Sequence, residues 1–186
     1  MNAMDAKGGF PLAIDPPEGQ VVPIDSSLVG KAIEASRKSP RGRVILPFHK
    51  SYRDPLQRML NVLQPGSYIQ PHRHKSPPKA ESIVVLKGSI CYVTFSDGGG
   101  VEAHFTLMAG SAAFGMDTPP GVYHTFFALM EDTGLFEVKP GPYDPDTDKD
   151  FARWAPPEGS PEAGTYLNSL CGLTGAVVMC GKGPPA

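Results

Sequence analysis

Glycine and proline cut this chain into short pieces: 21 of each in 186 residues leave few stretches where a long helix could run uninterrupted. Proline is excluded from helix interiors and central strands, and glycine weakens both, so short strands joined by tight turns are what such a chain can build. From Arg43 onward the apolar residues follow a strand-like period in the runs RVILPFHKS, QRMLNVLQPGSYIQPHRH, ESIVVLKGSICYVTFS, VEAHFTLM and GVYHTFFALMEDTGLFEVKP. Turn signals separate them at Gln64-Pro65-Gly66, Lys87-Gly88, Asp97-Gly98-Gly99-Gly100 and Glu131-Asp132-Thr133-Gly134. Many short strands with no helical segment between them predict an all-β, antiparallel sandwich or barrel over about residues 41–142.

The flanks read differently. Residues 1–24 are rich in Pro and Gly and lack any period, so they predict an extended or disordered arm. Asp25 or Ser26 can cap a helix running to about Ser39, with Leu28, Ala32, Ile33 and Ala35 or Ser36 on one face and Pro40 as its stop. That helix is expected on the outside of the barrel. After Pro142 a polar, proline-rich stretch predicts a strap held by Phe151 and Trp154, and residues 161–186 predict a loose tail.

Composition removes several classes of function. With 17 basic and 19 acidic residues the formal charge is -2, and no dense Lys/Arg block is present to follow a phosphate backbone or an anionic membrane. Neither nucleic acid nor membrane is an expected partner. The start MNAMDAKGGFPLAIDPPEGQ has no basic region followed by an apolar core, and GLTGAVVMCG is too short to span a bilayer, so a cytoplasmic protein is expected. Cys91, Cys171 and Cys180 form neither a CxxC nor a paired framework; they predict reduced thiols, with Cys91 in the core. GxSxG, Walker, Rossmann and HExxH patterns are all absent from the sequence.

One constellation carries chemistry. His72 and His74 are two residues apart, which in a strand puts both imidazoles on one face. Glu81 opens the next run, and the turn-forming KSPPKA between them can bring its carboxylate back beside the histidines. His124, remote in sequence, follows the turn Pro119-Pro120-Gly121 into a strand that a barrel can bring alongside. Three imidazoles and a carboxylate suit one divalent transition metal ion, Fe, Mn, Ni, Co or Zn, with coordination positions left open for water or substrate.

These spacings resemble the two motifs of the cupin superfamily: Gly66, five residues, His72-Arg73-His74, Glu81, six residues, Gly88, and then Pro119-Pro120-Gly121-Val122-Tyr123-His124. Three differences stand out. Six residues separate His74 from Glu81, Ala113 replaces the second motif's first glycine, and Ala128 stands where that motif often has Asn. Over about residues 25–160 the strings SPRGRVILPFHKS, QPGSYIQPHRHKSPPKAESIVVLKG and PPGVYHTFFALMEDTGLFEVKPGPYDPDTDKDFARWAPPEGS resemble the WbuC family of cupin-fold metalloproteins, in which the longer His-to-Glu spacing is usual. The resemblance implies a cupin-type barrel, or double-stranded β-helix (jelly roll), one bound metal, a link to surface-polysaccharide biosynthesis, and a homodimer paired through sheet edges.

Around the ligand set, Tyr68 and Gln70 share the parity of His72, and Phe126 that of His124, so all three are expected to line a substrate pocket. Arg73, Lys75 and Lys79 either draw in an anionic substrate or form a solvated loop. His49 and His104 read as ordinary core or surface residues, the face of Glu137 and Lys139 is open, and no general acid or base stands out. The functional expectation is a metal-dependent enzyme acting on a small polar or sugar-derived substrate by isomerisation, epimerisation or hydrolysis. The alternatives are an Fe(II) dioxygenase and a non-catalytic ligand-binding cupin.

Overall fold

The computed structural model describes residues 12–175. Two antiparallel five-stranded sheets face each other. The first runs in the order β1 (Arg43–Pro47), β2 (Leu56–Leu63), β9 (Thr133–Pro140), β4 (Glu81–Lys87) and β7 (Gly115–Thr118). The second runs β10 (Asp150–Phe151), β3 (His72–Arg73), β8 (Tyr123–Ala128), β5 (Ser89–Phe95) and β6 (Val101–Met108). Apart from the hairpins β1–β2 and β5–β6, successive strands alternate between the sheets, which is the double-stranded β-helix of a cupin-type barrel.

Strand alternation explains three apolar layers. Between the sheets lie Leu63, Ile83, Val85, Ile90, Tyr92, Leu107, Phe126 and Leu135. On the outer face of the first sheet, helix α1 (Ser26–Lys38) packs Val29, Ala32 and Ile33 on Val44, Leu46, Leu60 and Val62. Asp25 caps that helix, accepting from the Leu28 amide at 2.9 Å. The outer face of the second sheet, with Cys91, Val93, Phe95 and Phe127, is covered by Ala152 and Ala155 of the strap and by a second helix, α2 (Ala163–Thr174).

That second helix departs from the loose tail expected after residue 160. Ala163, Leu167 and Leu170 are buried on one side of it, a spacing that Gly164, Gly172 and the surrounding polar residues disguise in the sequence. The arm departs less: Ile14 and Leu12 exchange backbone hydrogen bonds with Ile45 at 2.9 and 3.2 Å, so this part lies along β1. Residues 1–11, and the tail from 176 on with Cys180, lie outside the described residues. Among the described residues no helix is long and apolar enough to cross a membrane.

The strap continues the second sheet at its edge. Its β10 adds to β3, pairing Phe151 with His72, and the Trp154 ring sits 5.1 Å from Phe95 and 5.8 Å from Tyr123. Gly99 makes that seat possible: a Cβ there would lie 2.7 Å from the indole. Gly88, at φ +74, turns β4 into β5 against Thr133, whose Oγ1 would stand 2.4 Å from any added Cβ.

Candidate metal centre

β3 is two residues long and places two of the three imidazoles. His72 lies directly across the antiparallel ladder from His124 of β8, and His74 follows two residues on. Residues 75–80 then fold back: Lys75 and Pro78 form a bridge, and the Gly121 amide donates to the His74 carbonyl at 3.1 Å. The returning strand β4 opens on Glu81, paired with Thr118 of β7 in the first sheet. The KSPPKA loop therefore brings the carboxylate to the histidines, with Glu81 Oε2 3.3 Å from His74 Nε2 and Oε1 3.5 Å from His124 Nε2.

The orientation of each ring is fixed from behind. His72 Nδ1 lies 3.0 Å from the Gln70 carbonyl, His124 Nδ1 lies 3.0 Å from the Val122 carbonyl, and His74 Nδ1 meets the Asp148 carbonyl. A carbonyl can only accept, so each Nδ1 carries the proton and each Nε2 keeps its lone pair. One ring nitrogen of each histidine falls within 4.8 Å of the others, and all three residues are buried. The Nε2 atoms of His74 and His124 are buried without a hydrogen-bond partner, despite the nearby carboxylate. Two orphaned lone pairs and an anionic oxygen around one point are a poor protein interior by themselves but fit a divalent cation. The donor set is imidazole and carboxylate without thiolate, which suits Fe, Mn, Ni, Co or Zn.

The electrostatics agree with that fit. Burial, followed by the charges of Lys149 and His124, pushes His72 well below the ordinary histidine range, which keeps it neutral. Burial alone would raise Glu81, but the neighbouring His124 and His74 and the charge of Lys139 hold it well below the carboxylate range. Tyr92 backs the site, its ring stacked 5.6 Å from that of His124 and its hydroxyl 2.6 Å from Thr118 Oγ1.

A cavity of about 280 Å³ opens on this centre, lined among others by His72, Glu81, Phe126, Gln70, Glu137, Lys139 and Lys149. Gln70 and Phe126 line this cavity, although the Gln70 amide is held by the Ala152 and Ala155 carbonyls at 3.1 and 3.3 Å. Tyr68 does not reach it. Residues 64–71 form no strand, so parity fails across them: Tyr68 turns outward against Tyr166, and its hydroxyl donates to the Pro156 carbonyl at 2.8 Å. Buried Arg43, its pKa lowered by burial to about 10, pins this segment by donating to the Tyr68 carbonyl and pairing with Glu158 of the strap.

The basic cluster beside the ligands divides. Arg73 pairs with Asp150 and Asp97 and lies over the Tyr123 ring, while Lys79 is buried on Asp148 at 2.9 Å, so these two draw nothing in from solvent. Lys75 is exposed, as is His104. His49 is buried, held at the Arg58 backbone, and lines the cavity.

The sequence left the face of β9 open, and that face carries the site's other chemistry. Glu137 and Lys139 point inward with Asn61 of β2, whose Nδ2 donates to Glu137 Oε2 at 3.1 Å. Lys139 pairs with Asp148 at 2.7 Å. Burial, then the charge of Glu81, pushes the Glu137 carboxyl up. Two carboxyls in one cavity are thereby driven in opposite directions, Glu81 towards the ionised form and Glu137 towards the protonated one.

With the geometry in place, comparison with known proteins adds the following. Residues 24–107 match the model of a domain of unknown function, DUF6016. No curated protein sequence matches the chain. Similar solved structures include CapF with the inhibitor 3-isopropenyl-tropolone (20% identity, TM-score 0.49, 61% of this chain and 32% of that one). Others are KdgF from Halomonas sp. (17%, 0.45, 59% and 87%) and oxalate decarboxylase from Bacillus subtilis (19%, 0.44, 66% and 28%). This chain therefore spans about a third or less of the CapF and oxalate decarboxylase chains and most of KdgF.

Proposed function

We propose that this chain is a cupin-fold metalloenzyme that holds one divalent transition metal ion through His72, His74, His124 and Glu81 and acts on a small polar, sugar-derived substrate. The observation that carries this reading is the convergence of three buried imidazoles with fixed tautomers, two of them with orphaned lone pairs, beside Glu81, which together with His72 lines the cavity. Such an ion supplies a Lewis acid with open positions. The chain's own residues supply the rest. Glu137, on the wall formed by β9, is held towards its protonated form and has a neighbour, Asn61, that fixes one of its oxygens. It is the group suited to move a proton in an isomerisation, an epimerisation or a hydrolysis. A binding protein would need no such group, so Glu137 favours the enzyme reading over a non-catalytic cupin. The resemblance of HRHKSPPK-ES to the WbuC family supports a sugar-derived substrate of surface-polysaccharide biosynthesis.

Elemental analysis of the purified wild-type chain, with calorimetric titration of the chelated protein, tests the metal. About one equivalent of transition metal per chain is expected, and no stoichiometric binding of any of the five metals would refute the reading. Turnover is tested by following sugar acids and nucleotide-free sugars by NMR in an oxygen-electrode cell. Conversion without oxygen uptake is expected. Stoichiometric oxygen uptake would instead assign an Fe(II) dioxygenase, and saturable binding without conversion a binding protein.

A further inference from the structure

The cavity also holds polar groups that the metal centre does not use. Four cationic side chains, Arg41, Arg43, Lys139 and Lys149, line it. Arg41 and Arg43 are committed to Glu158, and Lys139 to Asp148. Lys149, carried in by the strap, makes neither a hydrogen bond nor an ion pair among the described residues. An acceptor is in the same position: Asn61 gives its Nδ2 to Glu137, and its Oδ1 is buried with no partner. A buried acceptor without a donor, and an ammonium that feels the charges of Glu137 and Glu81 but is in hydrogen-bond contact with neither, both cost free energy that a ligand can restore.

The complementary ligand is constrained on three counts. A single uncommitted ammonium asks for a single negative charge, because a dianionic phosphate would stand among Glu81, Glu137 and Asp148 with too little compensation. The orphaned carbonyl oxygen asks for a hydroxyl. A volume of about 280 Å³ is at the small end for ligand pockets and suits one monosaccharide-sized molecule rather than a nucleotide. Burial and the charge of Lys139 lower the pKa of Lys149 although Glu137 and Glu81 act to raise it, so an anion placed directly on the ammonium gains further.

We infer that the cavity binds a small hydroxylated monocarboxylate, an acidic sugar or sugar acid, with its carboxylate on Lys149 and a hydroxyl donating to Asn61 Oδ1. The inference rests on reading this cavity as the substrate site, and it specifies the acidic group that substrate carries. It does not require the metal for the carboxylate contact.

The test is titration calorimetry of the full chain, both chelated and metal-loaded, with D-glucuronate, D-gluconate and D-glucose. Both carboxylates are expected to bind at least about tenfold more tightly than D-glucose in each form. Lys149→Gln should remove that preference, while Asn61→Leu should weaken acid and neutral sugar alike. Equal affinity of the wild-type chain for glucuronate and glucose overturns the inference without recourse to any variant, as does the absence of binding by every probe. So does a folded Lys149→Gln variant that keeps the preference. Carboxylate selectivity in a chain that takes up no metal would sink the metal reading and leave this one standing; stoichiometric metal without selectivity would do the reverse.

Discussion

Asp148→Asn is expected to lower the stability of the chain by about 3–5 kcal/mol, with a midpoint of thermal unfolding lower by roughly 10 °C, because it breaks buried ion pairs by removing one partner. The Asp148 side chain is 2% exposed, and it receives Lys79 at 2.9 Å and Lys139 at 2.7 Å, which are 3% and 5% exposed. Asparagine keeps the shape and removes the charge, leaving the desolvated Lys79 ammonium without a carboxylate and Lys139 with only the longer contact to Glu137, at 3.8 Å. Replacing Lys79 by leucine in the Asp148→Asn background should recover part of the loss, because that part of the penalty lies in its uncompensated charge. The same contact depends on pH. Burial would raise the Asp148 carboxyl, but the charge of Lys139 and the hydrogen bonds from Lys139 and Lys79 bring it below the ordinary range. A carboxyl with a lower pKa folded than unfolded stabilises above its unfolded value, about 3.9, and loses that contribution as pH falls towards the folded value. Thermal melts of wild type should therefore drop below about pH 4 more steeply than those of Asp148→Asn. Equal slopes, together with unchanged midpoints at pH 7, would refute the argument.

The Asp148 hub also marks where reading the sequence stops. The barrel was legible because turn residues punctuate alternating runs, and the histidine pair because a two-residue spacing needs only a scrap of strand, which β3 supplies. Tyr68 failed for the converse reason: parity was carried through residues 64–71, where no strand exists to preserve it. The inward face of β9 was hidden because both its faces are covered, Phe136 packing towards α1 and Glu137 towards the cavity, so alternation of apolar and charged residues no longer separates core from solvent. Lys149 sits in a strap with no period at all, and only its tertiary position gives it a role. Leu167 and Leu170 were obscured by glycines in a helix that tertiary packing, rather than propensity, holds in place.

His72→Ala and His124→Ala are each expected to reduce the metal content from about one equivalent to less than about a tenth, since each removes one of three imidazole donors from a site too small to replace it. The two residues face one another across the β3–β8 ladder, and their rings lie 4.7 Å apart, so neither loss can be repaired by a neighbouring histidine. His104→Ala, at an exposed position of β6, and His49→Ala, whose Nδ1 is held at the Arg58 backbone, should keep full occupancy. Metal binding also stabilises the fold by mass action, so wild type should melt higher when loaded, and that increment should vanish in both ligand variants. Glu81→Gln separates the carboxylate from the imidazoles. Its oxygens are 3.3 and 3.5 Å from two orphaned nitrogens, and the amide that replaces them is neutral and a weaker donor to a cation. An intermediate loss of about 10–100-fold in affinity is expected, with the histidine variants more severe. Wild-type affinity in Glu81→Gln would leave a three-histidine site and remove Glu81 from it. Retention of metal by both His72→Ala and His124→Ala would place the ion elsewhere and dissolve the link between the orphaned nitrogens and the cavity chemistry.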